Sequence, residues 1–152
     1  MIQTIADLFY ESLRHDLPDA LAYKRQGTYI PISHREVQDR VERAALGLRG
    51  LGLRVGDRVG FLSENSPAWA ILDYACAVTG VISVPIYHAL ASDQVSWILQ
   101  HSGCRWLCLS GPHQLAKLRD ALLQLPDLET VLLFEGEPCE LQGKRVLSWE
   151  DL

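Results

Sequence analysis

Residues Arg58–Ile86, RVGFLSENSPAWAILDYACAVTGVISVPI, hold two short apolar runs separated by a polar break and a longer run with helical spacing. Arg58 to Leu62 suits a buried strand, because a strand covered on both faces reads as near-continuous apolar sequence. Asn65-Ser66-Pro67 then offers a capping side chain and a proline at the first helical position, where its missing N–H costs nothing. Trp69, Leu72, Ala75, Cys76 and Thr79 line that helix, Gly80 ends it, and Val81 to Ile86 returns to strand. A strand, a helix and a strand in so short a stretch predict a right-handed parallel crossover.

The same alternation continues downstream. Ser92 is placed to cap a helix through Val95, Ile98 and Leu99, closed by Ser102-Gly103, and Trp106 to Leu109 reads as the next strand. A helix from about His113 to Leu123 carries Leu115, Leu118 and Leu122, and Pro126 breaks the chain before a strand from Thr130 to Phe134. Upstream, Ser33 with Glu36 forms a capping box, and Val37, Val41, Ala44, Ala45, Leu48 and Leu51 follow at helical spacing. Leu21 to Arg25 and Thr28 to Ile32 flank Gln26-Gly27 and predict a β-hairpin. Thr4 with Asp7 opens a short helix whose apolar face is Ile5, Leu8, Phe9 and Leu13. The expected fold is therefore α/β: a layered αβα domain of four mainly parallel strands, preceded by a short helix and a hairpin. The polar stretch Gly136 to Gly143 is the best internal linker, and Ser148 with Asp151 carries the spacing of one more helix start.

A chain of 152 residues with 48% hydrophobic and 22% charged residues fits one ordinary globular domain. Its net charge of −5 argues against nucleic acid or anionic lipid as partners, which need a basic stripe. The densest basic stretch, Arg35 to Arg54, also carries Glu36, Asp39 and Glu42, so Arg40 and Arg43 read as a solvated helix face. Met1 to Phe9 lacks a secretory pattern, and the apolar stretch from Ala68 to Pro85 is too interrupted for a membrane span. Cys76, Cys104, Cys108 and Cys139 have no zinc-ligand spacing and read as reduced thiols, which favours a cytoplasmic setting.

Chemistry is sparse in the pattern. No strand-to-helix loop has the closely spaced glycines that cradle phosphates, and no G-x-S-x-G nucleophile is present. His15, His34 and His101 read as surface or helix-terminal residues. Tyr87, His88 and His113 follow strands, and Ser63, Glu64, Asn65 and Ser66 form a polar cluster after another. These are the positions where open sheets take ligands, although loop packing and helix capping are the simpler account of them. No residue is assigned as catalytic, cofactor-binding or metal-binding.

Several ordered motifs resemble adenylate-forming, acyl-activating enzymes. Tyr29 to Val37, Leu48 through Asp57-Arg58-Val59, Asn65-Ser66-Pro67-Ala68-Trp69, Ala77 to Tyr87 and Gln94 to Gly103 follow that family's order, with Ala68 standing where a glutamate is usual. Val84-Pro85-Ile86-Tyr87 and Ser148-Trp149-Glu150 are most similar to the long-chain fatty acyl-CoA synthetase branch. The resemblance implies a parent enzyme that uses ATP, magnesium and CoA on a fatty acid. It also implies that residues 1–152 are an amino-terminal subdomain whose partner is the remainder of that enzyme. The family's phosphate loop, T-S-G-T-T-G-x-P-K-G, and its ribose-binding aspartate and catalytic lysine have no counterpart here, and neither Lys117 nor Lys144 is taken for one. The segment alone is expected to be inactive and to expose an apolar docking surface that drives self-association. The parent would be cytoplasmic or peripheral to a membrane. The alternative is a stand-alone α/β binding module of the same ancestry without ligase activity.

Overall fold

The computed structural model describes residues 2–152. Helix α1 (Ile5–Ser12) and a 3-10 turn (Leu13–His15) lead into the hairpin β1 (Leu21–Arg25) and β2 (Thr28–Ile32). The main body follows as α2 (His34–Gly50), β3 (Arg58–Leu62), α3 (Pro67–Thr79), β4 (Ile82–Pro85), α4 (Ser92–Ser102), β5 (Trp106–Leu109), α5 (Pro112–Leu123), β6 (Thr130–Leu133) and β7 (Arg145–Ser148). Strands β3 to β7 form one parallel sheet in the order β4-β3-β5-β6-β7. The layered αβα architecture expected from the sequence is thus present, with five strands where four were expected. The additional strand is Arg145–Ser148, and the Ser148 signal opens only a 3-10 turn, Trp149–Asp151.

Alternation along the strands divides the core in two. Val59, Phe61, Trp106, Cys108, Leu132 and Leu147 pack with α2, α3 and Phe9 of α1. Leu62, Leu107, Leu109, Val131 and Leu133 pack with α4 and α5. Strands β3, β5 and β6 therefore feed both layers, as the period of two requires. Successive crossovers β3–α3–β4 and β4–α4–β5 run in opposite directions along the sheet, which is why their helices lie on opposite faces.

The motifs that carry the resemblance have structural duties. Ser66 Oγ accepts the Trp69 N–H at 3.2 Å and caps α3. Asp57 Oδ2 accepts the Arg54 N–H at 2.7 Å, and Asp57 Oδ1 lies 3.4 Å from Arg105, which forks onto Glu129 at 3.0 and 2.7 Å. These groups tie the amino ends of β3, β5 and β6. Pro85 lies on the edge strand β4. Ile82 and Ile86 donate to β3, at the Asp57 and Phe61 carbonyls. By the period of two, position 85 faces the open edge, where no N–H is needed.

Three expectations are corrected. The capping position of α4 is Ala91 and not Ser92, because Gln94 Oε1 reaches back to the Ala91 N–H at 3.2 Å. Ile5 and Leu8 of α1 point to solvent, and only Phe9 of that helix is buried. Gly136 to Gly143 is tied down and not a free linker: Leu141 is buried, bridges to Lys144, and Arg119 donates to the Glu140 carbonyl at 2.9 Å. Arg40 and Arg43 stand on the exposed face of α2 as expected, paired with Glu36 (3.8 Å) and Asp39 (3.1 Å), and both also border a groove described below.

Candidate functional site

The reversal of strand order places a crevice between the carboxyl ends of β3 and β5, the position at which open parallel sheets take ligands. A cavity of about 450 Å3 lies there, bordered by Glu64 after β3, Ser110 and Gly111 after β5, His113 and Gln114 in the first turn of α5, and Glu135 after β6. Of the residues singled out in the sequence, Glu64, His88 and His113 come together at this end of the sheet. Ser110, Gln114 and Glu135 were not anticipated. They come from separate loops with no shared spacing, and the one local sign was a glutamine beside the apolar stripe Leu115, Leu118 and Leu122.

Glu64 is held below the usual carboxylate range, chiefly by its own backbone N–H and then by the Ser110 hydroxyl, with smaller help from His88 and the Gln114 amide. It is therefore an anionic hydrogen-bond acceptor at neutral pH and not a proton donor. His88 Nδ1 stands 3.7 Å from Glu64 Oε1, beyond direct hydrogen-bond distance, and its ring packs on Tyr87 with centroids 4.9 Å apart. Ser63 Oγ donates to the Glu64 carbonyl at 2.8 Å, so its proton is engaged. Gln114 is buried, and its Oε1 has no hydrogen-bond partner. Its amide orientation follows from Glu64, since the reverse would set oxygen against carboxylate.

The arrangement can accept hydrogen bonds and repel anions. Its lining contributes two carboxylates, Glu64 and Glu135, and no lysine or arginine. Among the described residues no group of three or more His, Cys, Asp or Glu is arranged to hold a metal ion. The remaining candidates have structural partners. Lys117 donates to the Leu90 carbonyl at 3.2 Å, and Lys144 donates to the Leu125 carbonyl and, at 2.6 Å, to that of Leu128. His101 stacks on Trp97 at 4.8 Å. Cys76, Cys104 and Cys108 are buried, and Cys139 is exposed.

A second depression of about 580 Å3 runs between the hairpin, α2, α3 and the Trp149 turn. Tyr23, Ala44, Ala68, Ile71, Phe134 and Trp149 make it mostly apolar, with Arg40 and Arg43 at one border and Glu135 and Glu150 also present.

Comparison with known proteins agrees with this scaffold. The family model described as AMP-binding enzyme matches residues 11–149. The long-chain-fatty-acid–CoA ligase FadD15 of Mycobacterium bovis is 34% identical over 134 residues, which cover 87% of this chain and 22% of that ligase. The mitochondrial medium-chain acyl-CoA ligase ACSF2 of Mus musculus is 27% identical over 147 residues, 96% of this chain and 23% of the relative. The chain thus spans less than a quarter of the length of the curated relatives it matches. Among solved structures, coronafacic acid ligase from Pectobacterium brasiliense superposes with a TM-score of 0.82 at 19% identity, covering 98% of this chain and 29% of that one. The anthranilate CoA ligase AuaEII gives 0.79 at 22% identity, covering 94% and 26%. No described helix is long and apolar enough to cross a membrane. With a family model matched over residues 11–149 and a relative 34% identical over 87% of it, the chain belongs to the AMP-binding enzyme family.

Proposed function

We propose that residues 1–152 are the amino-terminal subdomain of the large domain of an ATP-dependent long-chain fatty acid–CoA ligase. The parent reaction joins a fatty acid to CoA through an acyl-adenylate, releasing pyrophosphate and then AMP. The observation that carries this reading is the 34% identity to a long-chain ligase over 87% of the chain, aligned to less than a quarter of that enzyme. The segment supplies scaffold: a sheet whose capping, edge and amino-end motifs are all engaged in folding, and a crevice without phosphate-binding groups. ATP, magnesium and CoA are bound by the rest of the ligase, which packs on the apolar groove beside Ile71, Phe134 and Trp149. The isolated segment uses that groove to self-associate, and the assembled enzyme works in the cytoplasm or at a membrane surface.

A chimera tests this. The matching segment of the mycobacterial ligase is replaced by this chain, and fatty-acid-dependent pyrophosphate exchange is followed for the chimera and for the segment alone. Exchange with a long-chain acid by the chimera and none by the segment is expected. A folded but inactive chimera, or turnover by the segment, would overturn the reading.

A further inference from the structure

Helix α2 carries an interior glycine that its backbone does not require. Gly47 has ordinary helical geometry, without the positive φ of Gly52, Gly56 or Gly80, and its carbonyl accepts the Leu51 N–H at 2.9 Å. A glycine in that position weakens a helix relative to alanine, so the missing side chain matters for what it lets approach. A Cβ on Gly47 would run into the Leu152 carbonyl oxygen and stand 2.8 Å from the carbonyl carbon and 3.0 Å from Leu152 Cδ1. Gly50, three residues on, has open space where its Cβ would be.

The approaching element is the Trp149–Asp151 turn together with Leu152. Internally it is well tied. Ser148 N–H and its hydroxyl both donate to Asp151 Oδ2 at 2.8 Å, and Leu152 N–H donates to the Trp149 carbonyl at 3.3 Å. The Trp149 ring meets Phe134 edge to face, with centroids 5.7 Å apart. Between the turn and α2, by contrast, no hydrogen bond or ion pair forms among the described residues, so the contact at Gly47 is one of packing alone. The turn and α2 also line the apolar groove together, through Trp149, Glu150 and Leu152 on the turn and Ala44, three residues before Gly47, on the helix.

We propose that Gly47 is a positioning residue: it seats the turn on α2 and thereby sets the width of the groove that receives the rest of the ligase, a role that rests on the function proposed above. A methyl group at this position lifts the turn as a unit, draws Trp149 off Phe134 and moves one wall of the groove. Helix α2 itself gains stability from the same substitution. Activity then falls because the rest of the ligase is misplaced, while the segment stays folded.

The test compares Gly47→Ala with Gly50→Ala, since each adds one methyl group to α2 and raises its helix propensity. In this chain, Gly47→Ala is expected to shift the Trp149 indole N–H resonance, identified through Trp149→Phe, and to abolish the nuclear Overhauser contact between Trp149 and Phe134. Gly50→Ala should leave both in place. In the chimera with the mycobacterial ligase, Gly47→Ala is expected to lower pyrophosphate exchange roughly tenfold to a hundredfold, and Gly50→Ala by less than about twofold. An unchanged Trp149 signal in Gly47→Ala would overturn the seat, whether or not the chimera turns over. A displaced Trp149 with full exchange activity, or an equal loss of activity in Gly50→Ala, would overturn the positioning role. An unmutated chimera without activity sinks the parent reading and the positioning role with it, whereas the seat stands or falls on Trp149.

Discussion

Gly80 and Lys144 do opposite kinds of work for the scaffold, one by lacking a side chain and one by spending all of its own. Gly80 ends α3 at φ 75°, and a Cβ there would stand 3.1 to 3.2 Å from the Val55 methyl groups. Gly80→Ala combines a left-handed strain with a crowded neighbour, so a loss of about 1 to 2 kcal/mol in urea unfolding is expected. Val55→Ala in the same chain should recover the crowding part and leave the strain. Lys144 sends its ammonium to the Leu125 and Leu128 carbonyls, which fixes the passage from α5 into β6. Lys144→Met keeps the stem and deletes the donors, and should cost about 1.5 to 3 kcal/mol by the same measurement. A neutral result would show that water replaces the ammonium without penalty.

At the scale of elements, the amino ends of β3, β5 and β6 are joined by Asp57, Arg105 and Glu129. The Arg105 hydrogen bonds hold the Glu129 carboxyl below its ordinary value of 4.5. A depressed carboxylate contributes stability that is full above the unfolded value and is lost as pH falls through the folded one. Unfolding midpoints should therefore drop below pH 4.5, and Arg105→Met should lower stability at pH 7 while shrinking the drop on acidification. Both partners are about half exposed, so the difference should be under 1 kcal/mol and smaller in high salt. An acid limb identical in Arg105→Met would remove this pair as a contributor.

Element by element, the sequence was most readable where local chemistry decides the outcome. Capping side chains at Thr4, Ser33 and Ser66 and the turn at Gln26-Gly27 act within a few residues, and α1, α2, α3 and the hairpin form where those signals stand. Strand β7 was hidden because Arg145–Ser148 holds only Val146 and Leu147 as apolar residues, whereas the equally short β5 and β6 read as nearly continuous apolar runs. Ile5 and Leu8 share a periodic face with Phe9, yet docking of α1 on α3 uses only one border of it. Glu64 was visible because it follows a strand directly. Its neighbours Ser110, Gln114 and Glu135 meet it only through the sheet order, which no local pattern encodes.

At the scale of the whole molecule, the question is whether the two layers unfold together. They share one five-stranded sheet but have separate helices, and the cysteines report on both. Cys76 and Cys108 belong to the layer of α1, α2 and α3, whereas Cys104 belongs to that of α4 and α5. Burial pushes the Cys76 thiol up to about 12, and raises Cys104 and, further, Cys108, so none of the three offers thiolate in the native state. Cys139 is exposed, and one of the four thiols should react promptly with a disulfide reagent under native conditions. In rising urea, the three buried thiols should become reactive with a common denaturant dependence, because losing either layer strips one face of every central strand. Site-resolved labelling read by mass spectrometry checks this. Cys104 reacting at lower urea than Cys76 and Cys108 would show that the α4 and α5 layer opens on its own, leaving the other face of the sheet and its helices as the stable unit.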